Sequence, residues 1–337
     1  MGKIQIGLLG FGTVGKGVYQ TVKTHQDHLT KIFGKPVEIS TIVVKDLDKH
    51  SDSAEHEKLT TDCEDVLNDP NIDVVFEAIV GVEPAATYLK NALQAGKHII
   101  TANKEMFAHH GKALKKLAKK HHVSIGFEAT TGGGIPVIQT LTQLLQVNRI
   151  HKVSAILNGT SNYILTEMRT NGLSFNEALK QAQELGFAEA DPTNDVEGWD
   201  SFYKLMILSE LIFGKQPDWK TVRRIGIVDI TSEQINKLED RNKRLKLLST
   251  LELKKDKLYA YVEPVVVSET HPLFAVEGVE NAVALETDLL GDLTLKGPGA
   301  GALPTASAML EDLCINLKYE QMSKLTSKAT HNEVSVN

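Results

Sequence analysis

Between Leu185 and Lys204 the chain reads LGFAEADPTNDVEGWDSFYK, a run that carries Glu189, Asp191, Asp195, Glu197 and Asp200 and closes on a lysine. The stretch after Asp200, FYKLMILSELIF, is apolar on almost every face apart from Lys204. A helix apolar all round is buried, and an unpaired ammonium in such a helix costs several kcal/mol. Asp200 stands four residues before Lys204, one helical turn back on the same face. Substrate chemistry is the best reason for a lysine at that place.

Other motifs sit where a ligand would approach backbone. Gly10-Phe11-Gly12-Thr13-Val14-Gly15 follows an apolar run directly and opens a helical pattern. Its glycines permit a tight turn and close approach of a pyrophosphate to a helix N-terminus. The fingerprint is weak alone, but strand before and helix after is the context it requires, so a dinucleotide is expected. At the end of the next strand, Lys45 favours a 2′-phosphate and hence NADP(H), while Asp46 beside it leaves NAD(H) open. Lys104, in Thr101-Ala102-Asn103-Lys104, follows another strand at the edge where open α/β sheets bind ligands. Glu128-Ala129-Thr130-Thr131-Gly132-Gly133-Gly134-Ile135-Pro136 joins a strand end, a triple glycine and a helix start. Its carbonyls beside Glu128 could hold a hard cation or simply form a tight turn. Gly297-Pro298-Gly299-Ala300-Gly301 enters the last helix and is either a second anion-binding helix start or a hinge.

The elements that must position these residues fall into two patterns. Up to about residue 130, short apolar runs (Ile4–Leu9, Val37–Val44, Asp73–Val80, His98–Ala102, Val123–Ala129) alternate with helical stretches, among them one from Val14 toward Leu29 and one over Lys104–Lys120. That alternation predicts a mostly parallel sheet with helices on both faces. Beyond the triple glycine, helices are expected over Ser161–Arg169, Phe175–Leu185 and Val196–Phe213, strands over His151–Leu157 and in the region 245–295, and a closing helix from Gly301 to Leu317. The fold class is therefore α/β: a parallel-sheet domain over 1–130, an α+β domain over 131–300, a closing helix over 301–320 packing back on the first domain, and a polar tail over 321–337.

A chain of 337 residues suits two domains. With 37 basic against 43 acidic residues and a net charge of −6, nothing points to nucleic acid or an anionic membrane as partner. Cys63 and Cys314 lack metal-ligand spacing and fit a reducing cytoplasm. No targeting segment and no apolar run long enough to span a membrane is seen.

Together the motifs GFGTVG, TANK, EATTGGGIP, NGTSNYIL (Asn158–Leu165), LGFAEADP, DVEGWDSFYK and GPGAGALPTASA (Gly297–Ala308) closely resemble those of the homoserine dehydrogenase family, in the family's order and over nearly the whole chain to about Leu317. The resemblance implies a Rossmann-type nucleotide domain and NAD(P)H-dependent, reversible reduction of L-aspartate 4-semialdehyde to L-homoserine, on the route to threonine, isoleucine and methionine. It implies Lys204 as proton donor, Lys104 near cofactor and substrate, and Glu189 and Asp200 as substrate ligands. It places Gly12, Thr13 and Val14 at the pyrophosphate, Gly186 and Gly301 near the cofactor, and sodium at Glu128, Thr131, Gly133 and Ile135. It also implies a homodimer, for which the strand-rich 245–295 region could supply a shared sheet. Asp191, Asp195 and Glu197 are assigned to helix capping and loop structure. Thr131 departs from the family's frequent valine, which is harmless if the ligand is a backbone carbonyl. The chain also ends without the regulatory ACT domain of many bacterial members, so threonine feedback through such a domain is not expected.

The chemistry agrees with that assignment. Hydride transfer to a carbonyl builds negative charge on oxygen, which a positioned ammonium stabilises and protonates. Aspartate-semialdehyde dehydrogenase would need an activated cysteine, and the acidic surroundings of Cys63 oppose one. A non-catalytic NADP-binding sensor is the alternative from another class; the joint presence of Lys104, Glu189, Asp200 and Lys204 weighs against it.

Overall fold

Ile4–Leu9 (β1) is apolar throughout except Gln5 and is buried at five of its six positions, the pattern of a strand covered by helices on both faces. The computed structural model describes residues 2–51 and 55–317, so the tail expected over 321–337 lies outside the described residues. After β1 come α1 (Thr13–Thr24), α2 (Gln26–Phe33), β2 (Val37–Val43), β3 (Leu59–Thr60), α3 (Glu64–Leu67), β4 (Val74–Glu77), α4 (Ala85–Gln94), β5 (His98–Thr101), α5 (Lys104–His121) and β6 (Ile125–Gly126). The six strands form one sheet in the order β3-β2-β1-β4-β5-β6, every pair parallel. The order reverses direction at β1, so the turn after β1 lies at the switch point where such sheets hold dinucleotides. The helix expected from Val14 toward Leu29 is two helices, interrupted at His25. The strand expected over Val123–Ala129 is only two residues long and gives way to a 3₁₀ turn over Glu128–Thr130.

The following elements are α6 (Val137–Leu144), β7 (Ile150–Ile156), α7 (Gly159–Thr170), α8 (Phe175–Glu184), α9 (Thr193–Val196), α10 (Trp199–Phe213), β8 (Arg223–Arg224), α11 (Ser232–Glu239), β9 (Lys243–Lys254), β10 (Lys257–Ser268), β11 (Glu280–Thr287) and β12 (Asp292–Pro298). Their sheet has the order β12-β11-β7-β9-β10-β8 and is antiparallel except for the short β10–β8 pairing. A last helix, α12, is formed over 302–317, where the described residues end.

The chain divides into two units. One takes the residues up to Met106, His110–Ala129 and the segment from Thr305; the other takes Phe107–His109 and Thr130–Pro304. The first unit is thus built from both ends of the chain. Ala306, Met309, Leu310, Leu313 and Cys314 of α12 share one buried cluster with Ile4, Leu8, Phe11, Val18, Phe33 and Ile42. Asp312 of α12 also accepts a hydrogen bond from the backbone N–H of Glu128 at 2.8 Å, with Gly126 packed so closely that a Cβ there would meet the Asp312 side chain. The architecture is α/β, a Rossmann-type parallel sheet followed by a mixed-sheet α+β unit.

Candidate active site

In the second unit α10 is buried along most of its length, Asp200 and Lys204 included, at 4% and 7% exposed. The Lys204 ammonium donates to the Asp200 carboxylate at 2.8 Å and to the carbonyl of Leu157 at 2.6 Å. Leu157 directly follows β7, and Asn158 caps α7 by accepting from the Ser161 N–H at 2.8 Å. The Asn158 amide nitrogen donates to Asp200 at 2.9 Å and to Asp195 at 2.6 Å. A strand end, a helix cap and two acidic residues therefore hold Lys204 in one orientation.

Asp195 stands in the first turn of α9, as its assignment to a helix start requires, and its side chain has a second use. It meets Asn158 across 37 residues and, through that amide, is tied to Asp200. Asn158 itself was legible only as part of the NGTSNYIL motif. Asp191 also stabilises a helix start, accepting from the Thr193 N–H and hydroxyl before α9. Glu197 pairs with Arg224, whose guanidinium lies 3.6 Å over the Trp199 ring. The helix expected over Val196–Phe213 is broken at Gly198, whose φ of +81° makes the turn between α9 and α10. The left-handed conformation favours glycine there. Glu189 and Gly186 lie in the exposed loop between α8 and α9, where the Glu189 carbonyl accepts from Gln183.

In the first unit the three glycines of the fingerprint are needed for different reasons. Gly10 has φ +96° and a Cβ there would meet the Ala78 carbonyl at 2.7 Å; a Cβ on Gly15 would meet the Gly10 carbonyl at 2.1 Å. A Cβ on Gly12 would meet nothing within 4 Å. Gly12 caps α1 without a side-chain hydrogen bond, so the first N–H groups of the helix face an open approach suited to a phosphate. Thr13 and Val14 open that helix. Beside it lies a cavity of about 570 Å³ lined by Phe11, Lys16, Tyr19, Gln20, Asp48, Lys49, His50, Ser51 and Glu55. Lys45 is exposed and is not among the lining residues; the cations on the cavity wall are Lys16 and Lys49.

Lys104 is the first residue of α5, preceded by its cap Asn103, whose side-chain oxygen accepts from the Met106 N–H at 3.0 Å. Under this turn lies Glu77, fully buried at the end of β4. Burial pushes its carboxyl up to about 7, against hydrogen bonds from Thr101, Ile79 and Asn103 that favour the ionised form. The folded chain therefore holds this proton more tightly than the unfolded chain, whose carboxylate titrates near 4.5. Stability from this group is full below pH 4.5 and is lost as pH rises toward 7, on the order of 3 kcal/mol in all. We expect Glu77→Gln to remove that slope, so wild type gains stability relative to the variant between pH 8 and pH 5. Parallel denaturation midpoints for the two proteins across that range would refute the coupling.

Of the residues assigned to a cation, Glu128 belongs to the first unit and Thr131, Gly133 and Ile135 to the second. Glu128, Thr131 and Ile135 are buried, and Gly133 has φ +59° with a Cβ position that would meet the Gly299 carbonyl at 2.3 Å. A carboxylate and glycine-rich backbone offer hard oxygen donors, the chemistry a sodium ion takes. Among the described residues no cluster of three or more His, Cys, Asp or Glu side chains could hold a metal. Gly301, with φ +118°, precedes α12. Also among the described residues, no helix is long and apolar enough to cross a membrane.

Residues 10–128 match the family model described as the NAD-binding domain of homoserine dehydrogenase, and residues 136–314 match that described as homoserine dehydrogenase. The chain belongs to the homoserine dehydrogenase family. It is an NAD(P)-dependent oxidoreductase acting on a CH–OH group. It is 43% identical to the homoserine dehydrogenase of Bacillus subtilis, over 94% of this chain and 74% of that protein. It is similar to the crystal structure of a homoserine dehydrogenase from Thiobacillus denitrificans, with 40% identity, TM-score 0.88, and coverage of 93% of this chain and 72% of that one. A hyperthermophilic archaeal homoserine dehydrogenase solved in complex with NADPH gives a TM-score of 0.78 at 28% identity, covering 94% of this chain and 98% of that one.

Proposed function

We propose that this chain reduces L-aspartate 4-semialdehyde to L-homoserine reversibly with NADPH, Lys204 giving the proton to the aldehyde oxygen. The observation that carries the reading is a lysine buried in an apolar helix and aimed by a carboxylate and a backbone carbonyl. The nicotinamide cofactor supplies the hydride. Lys204 holds its ammonium in place before the reaction, so little reorganisation accompanies proton transfer. Asp200 neutralises that ammonium in the ground state and, with Glu189, receives the charged end of the substrate. Lys104 stands near cofactor and substrate. Gly10, Phe11, Gly12, Thr13, Val14 and Gly15 cradle the pyrophosphate, with Gly186 and Gly301 nearby. Glu128 with the backbone of Thr131, Gly133 and Ile135 would hold sodium.

NADP(H) preference is supported by Lys16 and Lys49 on the cavity beside α1, a better-placed pair for a 2′-phosphate than Lys45. The decisive experiment follows absorbance at 340 nm with L-homoserine and either NADP or NAD. Turnover with NADP faster than with NAD is expected; no turnover with either defeats the proposal. Lys49→Ala should raise KM for NADP about tenfold and leave KM for NAD unchanged; the same split with Lys45→Ala instead would restore Lys45 to that role.

We further propose a cytoplasmic homodimer serving threonine, isoleucine and methionine synthesis. Both cysteines are free and buried, as suits a reducing compartment. Val266 of β10 is an exposed apolar residue on one face of the second sheet, which supports a shared surface there. A monomeric mass by light scattering at assay concentration would remove the dimer.

A further inference from the structure

Glu77 poses a problem that core packing does not solve. Its neighbours on β4 are Val74, Val75 and Phe76, all fully buried, and an apolar side chain at position 77 would share their environment without desolvating a carboxyl. Its two oxygens are met by a hydroxyl, a side-chain amide and a backbone N–H. One oxygen accepts from the Ile79 N–H at 2.7 Å and the Asn103 amide at 3.4 Å, and the other accepts from the Thr101 hydroxyl. That hydroxyl in turn accepts from the Asn103 N–H at 3.0 Å. The Asn103 amide continues to the carbonyls of Ile79 at 3.0 Å and Gly81 at 2.7 Å, while its oxygen caps α5. Thus one carboxyl links the loop after β4 to the turn between β5 and α5. The same loop reaches the glycine turn, since Ala78 donates to the Leu9 carbonyl and its own carbonyl bounds Gly10.

We propose that Glu77 is a positioning residue that sets the β5–α5 turn so that Lys104 is presented in a single orientation. The inference rests on the reading of Lys104 as a residue near cofactor and substrate. Glu77 touches neither and acts only through Thr101, Asn103 and the loop 78–81. A carboxyl whose ionised and neutral forms are both accessible near neutrality still serves, because in either form one oxygen accepts from Ile79 and Asn103 and the other meets the Thr101 hydroxyl, which can donate or accept.

The test is a mutant cycle on the full chain, read as kcat and KM with L-homoserine and NADP. Glu77→Ala should lower kcat at least tenfold with KM for NADP within threefold of wild type. Glu77→Gln, which preserves the acceptor for Ile79 and Asn103, should recover kcat to within threefold of wild type. Lys104→Ala alone reports on the underlying reading: unchanged kcat and KM would show that Lys104 is not at the site, and would overturn the inference with it. With Lys104→Ala impaired, the double variant Glu77→Ala/Lys104→Ala should be no slower than Lys104→Ala. Losses that multiply, or a Glu77→Ala kcat within threefold of wild type, would overturn the role of Glu77 while leaving that of Lys104 intact. If Glu77→Ala does not fold, Thr101→Val takes its place, removing the hydroxyl that joins Glu77 to the Asn103 N–H. The same tenfold loss and the same non-additivity with Lys104→Ala are then required.

Discussion

Replacing Lys204 by alanine should lower kcat by about two to four orders of magnitude while the dissociation constant for NADPH stays within about threefold. The expectation follows from division of labour within the fold. Lys204 belongs to the second unit, and the glycine turn and its neighbouring cavity belong to the first, so the ammonium can be deleted without touching the nucleotide fold. Deleting it leaves Asp200 and the Leu157 carbonyl without the donor they share. Steady-state rates and fluorescence titration of NADPH check the two halves separately. A kcat within a few-fold of wild type would make Lys204 a structural lysine and send the proton through water or Lys104.

The second large effect is expected at Asp200. Asp200→Ala should lower kcat/KM about 100-fold, because Lys204 loses the carboxylate, 2.8 Å away, that helps aim it. It should also cost about 3 kcal/mol of stability, the usual consequence of leaving one member of a buried pair behind. The two effects have different remedies. The double variant Asp200→Ala/Lys204→Ala removes both charges and should regain most of the lost stability with no activity. Denaturant midpoints decide this: a double variant no more stable than Asp200→Ala would show that the destabilisation comes from lost packing and not from a stranded ammonium.

The pairing of Asp200 with Lys204 was readable from sequence because a four-residue spacing inside one helix fixes which side chains meet, whatever surrounds them. The parallel sheet was readable for a similar reason, since each apolar run is followed closely by its own crossover helix. What could not be read depends on contacts distant in the chain. Asn158 finds Asp195 and Asp200 across 37 and 42 residues, and only the packing of the β7–α7 turn against α9 and α10 brings them together. Lys45 is legible as a candidate for the cofactor's 2′-phosphate because it lies just past the second strand, but the neighbouring cavity wall is not. The following segment folds back through a 3₁₀ turn at Asp48–His50, which carries Lys49 to the cavity wall. Glu77 was hidden inside an apolar strand, where one carboxylate gives no periodic signal. The breaks at His25 and Gly198 shortened helices whose apolar pattern ran straight through.

The return of α12 to the first unit has a consequence for how this protein is born. A ribosome that has released residues 1–130 has made every strand of the parallel sheet, yet Ala306, Met309 and Leu313 are still to be translated. At ordinary elongation speeds of about 5–20 residues per second, that interval lasts on the order of 10 to 30 seconds. Through it, the surface of Phe11, Val18 and Phe33 awaits its cover, so the amino-terminal unit must finish folding last although it emerges first. A fragment ending at residue 130 should accordingly bind an apolar dye that the full chain excludes, and an unlabelled fragment would show that the sheet closes without its helix.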